Sequence, residues 1–131
     1  MPVPPAGLPY KNFCDKGGRF GPHNMNQLQY NPNVQKQGNL AYLTWFNAGL
    51  RVVDIRDPFT PKEVAYYIPA INKNTAKRCV KENGVEKCKI AIQTNNAEVD
   101  DRGYIYAVDR AGTGMHILEL TGAPRKIVGL K

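Results

Sequence analysis

Along residues 40–55, LAYLTWFNAGLRVVDI, Leu40, Tyr42 and Thr44 alternate with Ala41, Leu43 and Trp45, so that β-forming side chains point to both faces. Asn47-Ala48-Gly49 breaks the run, LRVVDI continues it, and Asp57-Pro58-Phe59-Thr60-Pro61 stops it. Short apolar runs between such punctuation predict strands packed on both sides, here a hairpin followed by a third strand over Glu63–Ile68. The same grammar returns at residues 104–120, YIYAVDRAGTGMHILEL. Superposed, Tyr42 meets Tyr106, Gly49 meets Gly114 and Asp54 meets Glu119, an offset of 64 to 65 residues.

The remaining segments fall into place around these two hairpins. Met1–Tyr10 carries four prolines and predicts an extended lead. Gly17-Gly18 and Gly21-Pro22 are punctuation before a short strand at His23–Gln27, and the Asn- and Gln-rich Tyr30–Gly38 predicts a loop. After Ile71–Lys89, extended structure resumes at Ile90–Thr94 or Asn95–Asp100. Asp101-Arg102-Gly103 and Ala111–Gly114 turn the chain, and Arg125–Leu130, RKIVGL, reads as a last strand. The organisation expected is an extended segment (1–22), a first four-stranded unit (23–70), a basic insertion loop (71–92) and a second four-stranded unit (93–131). Without the insertion each unit approaches the roughly 40–45 residues of a propeller blade, a four-stranded antiparallel sheet that stacks face to face.

Composition sharpens this picture in three ways. The 131 residues suit one domain with a real core, and 12 Gly with 10 Pro favour turns over long helices. No run of 18 apolar residues offers a transmembrane helix, and MPVPPAGLPY lacks the basic start and apolar stretch of a signal peptide. An exported protein would therefore have its signal removed or upstream of this chain. The formal charge of +7 is concentrated: residues 73–89 hold six basic residues against Glu82 and Glu86, a net +4. A solvated loop is the plain explanation, and an acidic partner or surface is the functional one, with Lys77, Arg78 and Lys81 as binding residues. No nucleic-acid motif accompanies the charge.

Cys79 and Cys88 flank VKENGVEK, whose Asn83-Gly84 is a two-residue hairpin signal that sets the cysteines opposite each other. The expectation is a disulfide and an oxidising compartment, secreted, periplasmic or at the cell surface. Zinc is the weaker alternative, because no matching Cys or His pair follows. Cys14 is left without a partner in this reading.

The runs GLRVVDIRDPFTPKEVAYY, GMHILEL, FCDKGGRFGPHN and NNAEVDDRGYIYAVDRAGTGMHILE resemble the LVIVD-repeat β-propeller proteins of bacteria, in particular their last part. The likeness covers most of residues 12–122. It implies an exported all-β protein of propeller-type blades, in a family whose members generally carry more of them. Two units cannot close a ring, so the chain is expected to be a piece of a larger propeller, to assemble with other copies or chains into six or eight blades, or to pack its units on each other as a sandwich.

Candidate chemistry is sparse. The resemblance places His23 at a channel mouth, where its imidazole would hold a divalent metal or act as a general base; a histidine hydrogen-bonded to a neighbouring loop is the structural alternative. By repeat alignment Asn95-Asn96 takes the place of His23-Asn24, which makes Asn24, Asn95 and Asn96 binding candidates at the same polar end. His116 sits at the position of Arg51 among apolar neighbours and reads as a packed histidine. Asn95, Asn96, Glu98, Asp100 and Asp101 have the density of a Ca²⁺ site without its spacing, so turn-making is preferred. Asp54 and Glu119 are read as holding their turns, with Asp109 and Arg110 in similar local work. Trp45, Phe46, Tyr66 and Tyr67 read as core aromatics rather than a stacking patch. Phosphate-binding glycine loops, nucleophile elbows and CxxC are missing, and Gly112-Thr113-Gly114 precedes no helix. The leading expectation is a non-enzymatic scaffold or binding module without a cofactor, acting through blade stacking and self-association. The alternative is a propeller-type enzyme or metal-binding protein centred on His23.

Overall fold

In the computed structural model, residues 1–26, 32–35 and 38–129 are described. Parts of the strand expected at 23–27, of the loop at 30–38 and of the last strand at 125–130 lie outside them. The protein is all-β and antiparallel. β1 (Leu40–Thr44), β2 (Leu50–Asp54) and β3 (Lys62–Tyr67) form one sheet in chain order. β4 (Lys77–Glu82) and β5 (Val85–Ile90) form a hairpin, and β6 (Thr94–Val99), β7 (Ile105–Asp109) and β8 (Gly114–Leu118) form the second three-stranded sheet. The first sheet gains a short fourth member where Met25 bridges Leu43, with His23 N–H and Asn26 N–H donating to the Thr44 and Tyr42 carbonyls.

Alternation explains how the two sheets meet. Leu40, Tyr42, Leu50 and Val52 on one sheet and Ala97, Val99, Ile105 and Ala107 on the other form a single buried cluster with Leu120. Each three-stranded sheet alone would leave this face in water, so the pair is the smallest unit that buries it. The sheets are also stitched at one end, where Phe46 bridges Thr94 and Thr94 N–H donates to the Phe46 carbonyl. At the other end Ile127 and Val128 pack against the cluster.

Two elements depart from the sequence expectation. Residues 125–130 were expected to extend the second sheet, but Ala123–Ile127 is a short helix, α2, with Pro at its first turn. A six-residue stretch such as RKIVGL does not distinguish a strand from a helix turn by period, and here docking Ile127 on the core end decides. Phe13–Lys16 forms a one-turn helix, α1, capped by the Asn12 side chain, which accepts the Asp15 N–H at 2.9 Å. The units are thus three-stranded rather than four-stranded in their regular part.

The insertion is a paired hairpin rather than an open loop. Cys79 faces Cys88 across β4 and β5, and the two form a disulfide. Asn83 and Gly84 both take positive φ at its tip, 51° and 80°, as a primed two-residue turn needs. No helix among the described residues is long and apolar enough to cross a membrane.

The outer faces of the two sheets differ. On the first, Arg51 is 1% exposed, pairs with Glu63 at 3.1 Å and lies between the Phe13 and Tyr66 rings at 5.0 and 5.3 Å. The N-terminal segment is fastened there, as Asn47 Nδ2 donates to the Phe13 and Gly17 carbonyls at 2.8 and 2.7 Å. On the second sheet Val108, Met115 and Ile117 stay 41%, 58% and 59% exposed. Their pairing puts them side by side, with Val108 opposite Met115 and Tyr106 opposite Ile117.

Gly49 and Gly114, matched in sequence, separate in structure for the same reason. Both have positive φ, 80° and 112°. A Cβ on Gly49 would collide with the backbone carbonyl of Tyr67, whereas one on Gly114 would meet open space, since β8 is an edge strand among the described residues. Gly49→Ala is expected to cost about 3 kcal/mol or more, and Gly114→Ala about 1 kcal/mol, the ordinary left-handed penalty. Urea unfolding of the two variants checks this; equal losses would mean that β3 does not close over Gly49.

Candidate functional site

The junction of the two sheets gathers most of the residues singled out in sequence. Thr44 is buried, and its hydroxyl lies 3.0 Å from the Asn24 carbonyl and 2.7 Å from the Asn95 carbonyl. It also accepts the Asn24 N–H at 3.0 Å. One hydroxyl therefore ties the inner edge of the first sheet to the first strand of the second. His23 Nδ1 is 3.0 Å from the Asn95 carbonyl, and its ring packs on Phe46 with centroids 4.8 Å apart. The Arg110 guanidinium approaches the same Phe46 ring at 5.7 Å and donates to Asn95 Oδ1 at 3.4 Å. Asn95 Nδ2 donates in turn to Asn96 Oδ1.

His23, Asn24, Asn95 and Asn96 are thus neighbours at this junction. His23 is nevertheless exposed and bonded to a backbone carbonyl, the geometry of the structural alternative. Among the described residues, Cys79, Glu86 and Cys88 are the grouping with metal-ligand proximity, and there both sulfurs are engaged in the disulfide. Phe46 takes φ 41°, an unfavourable backbone for an aromatic residue. Its carbonyl, accepting from Thr94 and Gly49, and its ring, between His23 and Arg110, hold it there.

The other polar candidates serve turns. Asp54 accepts from the Arg56 backbone and guanidinium, which holds its carboxyl below the usual range. Asp100 accepts the N–H groups of Arg102 and Tyr104 at 3.0 and 2.9 Å and pairs with the Arg102 side chain at 2.7 Å. Burial pushes the Asp100 carboxyl up, but these hydrogen bonds outweigh it and leave it lowered. Asp109 caps its own turn through the Ala111 and Thr113 N–H groups and also receives the Gln93 N–H. Glu119 pairs with Arg125 at 3.0 Å. His116 lies between the sheets with Nδ1 3.2 Å from the Tyr67 hydroxyl. Of the four aromatics, Phe46 is buried, Trp45 and Tyr67 are half-buried and Tyr66 is 50% exposed over Arg51.

Lys77 and Arg78 line a cleft beside the hairpin together with Arg19, Gln93 and Arg110, while Lys81 lies outside it. Arg19, Gln93 and Lys16 carried no signal in the sequence, because their positions follow from docking the N-terminal segment. Lys16 donates to the Asn47 carbonyl at 2.7 Å. Burial, reinforced by nearby Arg51 and opposed by Asp109, lowers its ammonium from near 10.5 to about 8. The chain matches no family model, and no curated protein or solved structure is significantly similar to it.

The Lys16 shift sets a pH dependence. Between about pH 8 and 10.5 the unfolded chain keeps a proton that the folded chain has released, so stability rises with pH across that window. Tyr42 acts oppositely above pH 10, because burial raises its hydroxyl to about 12. Urea midpoints should therefore climb from pH 8 to 10, and Lys16→Met should flatten the climb. An unchanged slope in the variant would show that Lys16 is solvated in the folded chain.

Proposed function

We propose that the chain is a non-enzymatic binding module of propeller type, which associates through the open face of its second sheet and presents the β4–β5 hairpin as a basic contact element. The observation that carries this reading is the exposed row of Val108, Met115 and Ile117 beside Tyr106, on a sheet whose opposite face is fully used in the core. A contiguous apolar face of this kind is normally covered by another surface. The covering surface proposed is the same face of a second copy, since the outer face of the first sheet carries the Arg51–Glu63 pair under Phe13. The repeat resemblance to LVIVD proteins supports sheet-on-sheet stacking as the mode of contact. The Cys79–Cys88 disulfide supports an oxidising, extracytoplasmic setting.

The second reading, metal binding or catalysis at His23, rests on the convergence of His23, Asn24 and Asn95 at the junction. It requires further ligands or a substrate to supply what that junction does not gather among the described residues. Stoichiometric metal in the purified protein, lost in His23→Ala, would favour it.

Light scattering on the purified chain tests the leading proposal. A discrete dimer is expected at micromolar concentration, converted to monomer by Val108→Lys with Ile117→Lys while the circular dichroism spectrum is retained. A wild-type monomer at all concentrations would sink the stacking model.

A further inference from the structure

Beside the disulfide hairpin lies a cleft of about 210 Å³ walled by Gly18, Arg19, Lys77, Arg78, Gln93 and Arg110, with Cys79 and Val80 completing the β4 side. Its four cations come from three separate segments: the N-terminal lead, β4 and the turn after β7. No carboxylate lines the cleft. Elsewhere Arg51, Arg56, Lys87, Arg102 and Arg125 each have an acidic partner, but none of the four cleft cations is in an ion pair among the described residues. Four basic residues around one concavity give it a positive potential, which a bound anion would satisfy.

The cleft is also held in shape. Arg78 Nη2 donates to the Arg110 carbonyl at 2.9 Å, while Arg78 Nε is buried and finds no acceptor in the protein. Arg110 is steadied over the Phe46 ring and by Asn95. Gln93 clasps the Arg19 backbone from both sides, accepting its N–H at 3.1 Å and donating to its carbonyl at 3.3 Å. Gly18 permits that clasp: its φ is 70°, and a Cβ there would lie 2.6 Å from Gln93 Nε2. Asp109, adjacent to Arg110, is occupied by the N–H groups of Gln93, Ala111 and Thr113.

We infer that this cleft binds the phosphate group of a small phosphorylated ligand. Guanidinium forks match tetrahedral oxyanions, and several from different directions suit a dianion better than a planar carboxylate. The space is several times the roughly 30 Å³ share of one water, enough for a phosphate with part of its hydration shell. The inference narrows the basic-contact part of the proposed function to a site and a ligand class, and it is independent of self-association: loss of phosphate binding would leave the light-scattering result as it stands.

Calorimetric titration of the disulfide-intact chain at low ionic strength, with inorganic phosphate and with glycerol 3-phosphate, provides the test. Saturable 1:1 binding is expected, weakened about tenfold or more by Arg78→Gln and by Arg110→Gln. Lys81→Gln, on the same hairpin but outside the cleft, should change it by less than about twofold, the size of a screened surface effect. Tighter binding of the ester would identify a phosphorylated molecule as the ligand, and equal binding the free ion. Arg19→Gln lies outside both sheets and decides the matter should a strand variant fail to fold. The inference is overturned by absent saturation, by Lys81→Gln weakening binding as much as Arg78→Gln, or by succinate binding as tightly as phosphate.

Discussion

Everything in this protein depends on one apolar layer shared between two sheets that could not stand separately. Tyr42, Leu50 and Val52 supply one side and Ala97, Val99, Ile105 and Ala107 the other. The packing is not continuous to its edge, where a gap of about 120 Å³ opens between Leu50 and Val52 on one sheet and Ile105 and Leu118 on the other. That packing brings the Thr44 hydroxyl within reach of both the Asn24 and Asn95 carbonyls. The junction of His23, Phe46, Asn95 and Arg110 is therefore a product of core packing, and its geometry cannot be altered without disturbing the layer beneath.

Charge is handled in two distinct ways. Arg51 is taken out of water, where burial lowers its pKa and Glu63 works against that shift, under the cover of two rings. Breaking such a pair costs more than the pair itself contributes, because the remaining ion stays buried. Arg19, Lys77, Arg78 and Arg110 instead converge without carboxylates around an open cleft. The first arrangement fixes the N-terminal segment to the body; the second leaves electrostatic work undone. Lys16 joins the two, donating to Asn47 while the field of Arg51 helps to lower its pKa.

The strands of the two three-stranded sheets were legible because period-2 patterning and glycine turns are local signals. The disulfide was legible because Asn83-Gly84 determines which residues face each other. The C-terminal helix was not: RKIVGL is too short for its period to decide, and the deciding interaction, Ile127 on the core end, is tertiary. The cleft shows the same limit. Lys77 and Arg78 stood out in a basic run, but Arg19 and Arg110 joined them only through docking of distant segments. His23, Asn24 and Asn95 meet through Thr44 and the Asn95 carbonyl, contacts that again depend on how the two sheets pack.

Under the proposed self-association, the inequality of the two outer faces limits each molecule to one partner. A sheet stack with two sticky faces can add copies indefinitely and grow into a fibre. Here Phe13 and its segment lie over the ion pair on the first sheet, while Val108, Met115 and Ile117 stay exposed on the second. A face that meets its own twin across a two-fold axis is used up by the encounter. In the proposed pairing the N-terminal segment acts as a chain terminator: peeling it back would open a second face to contact.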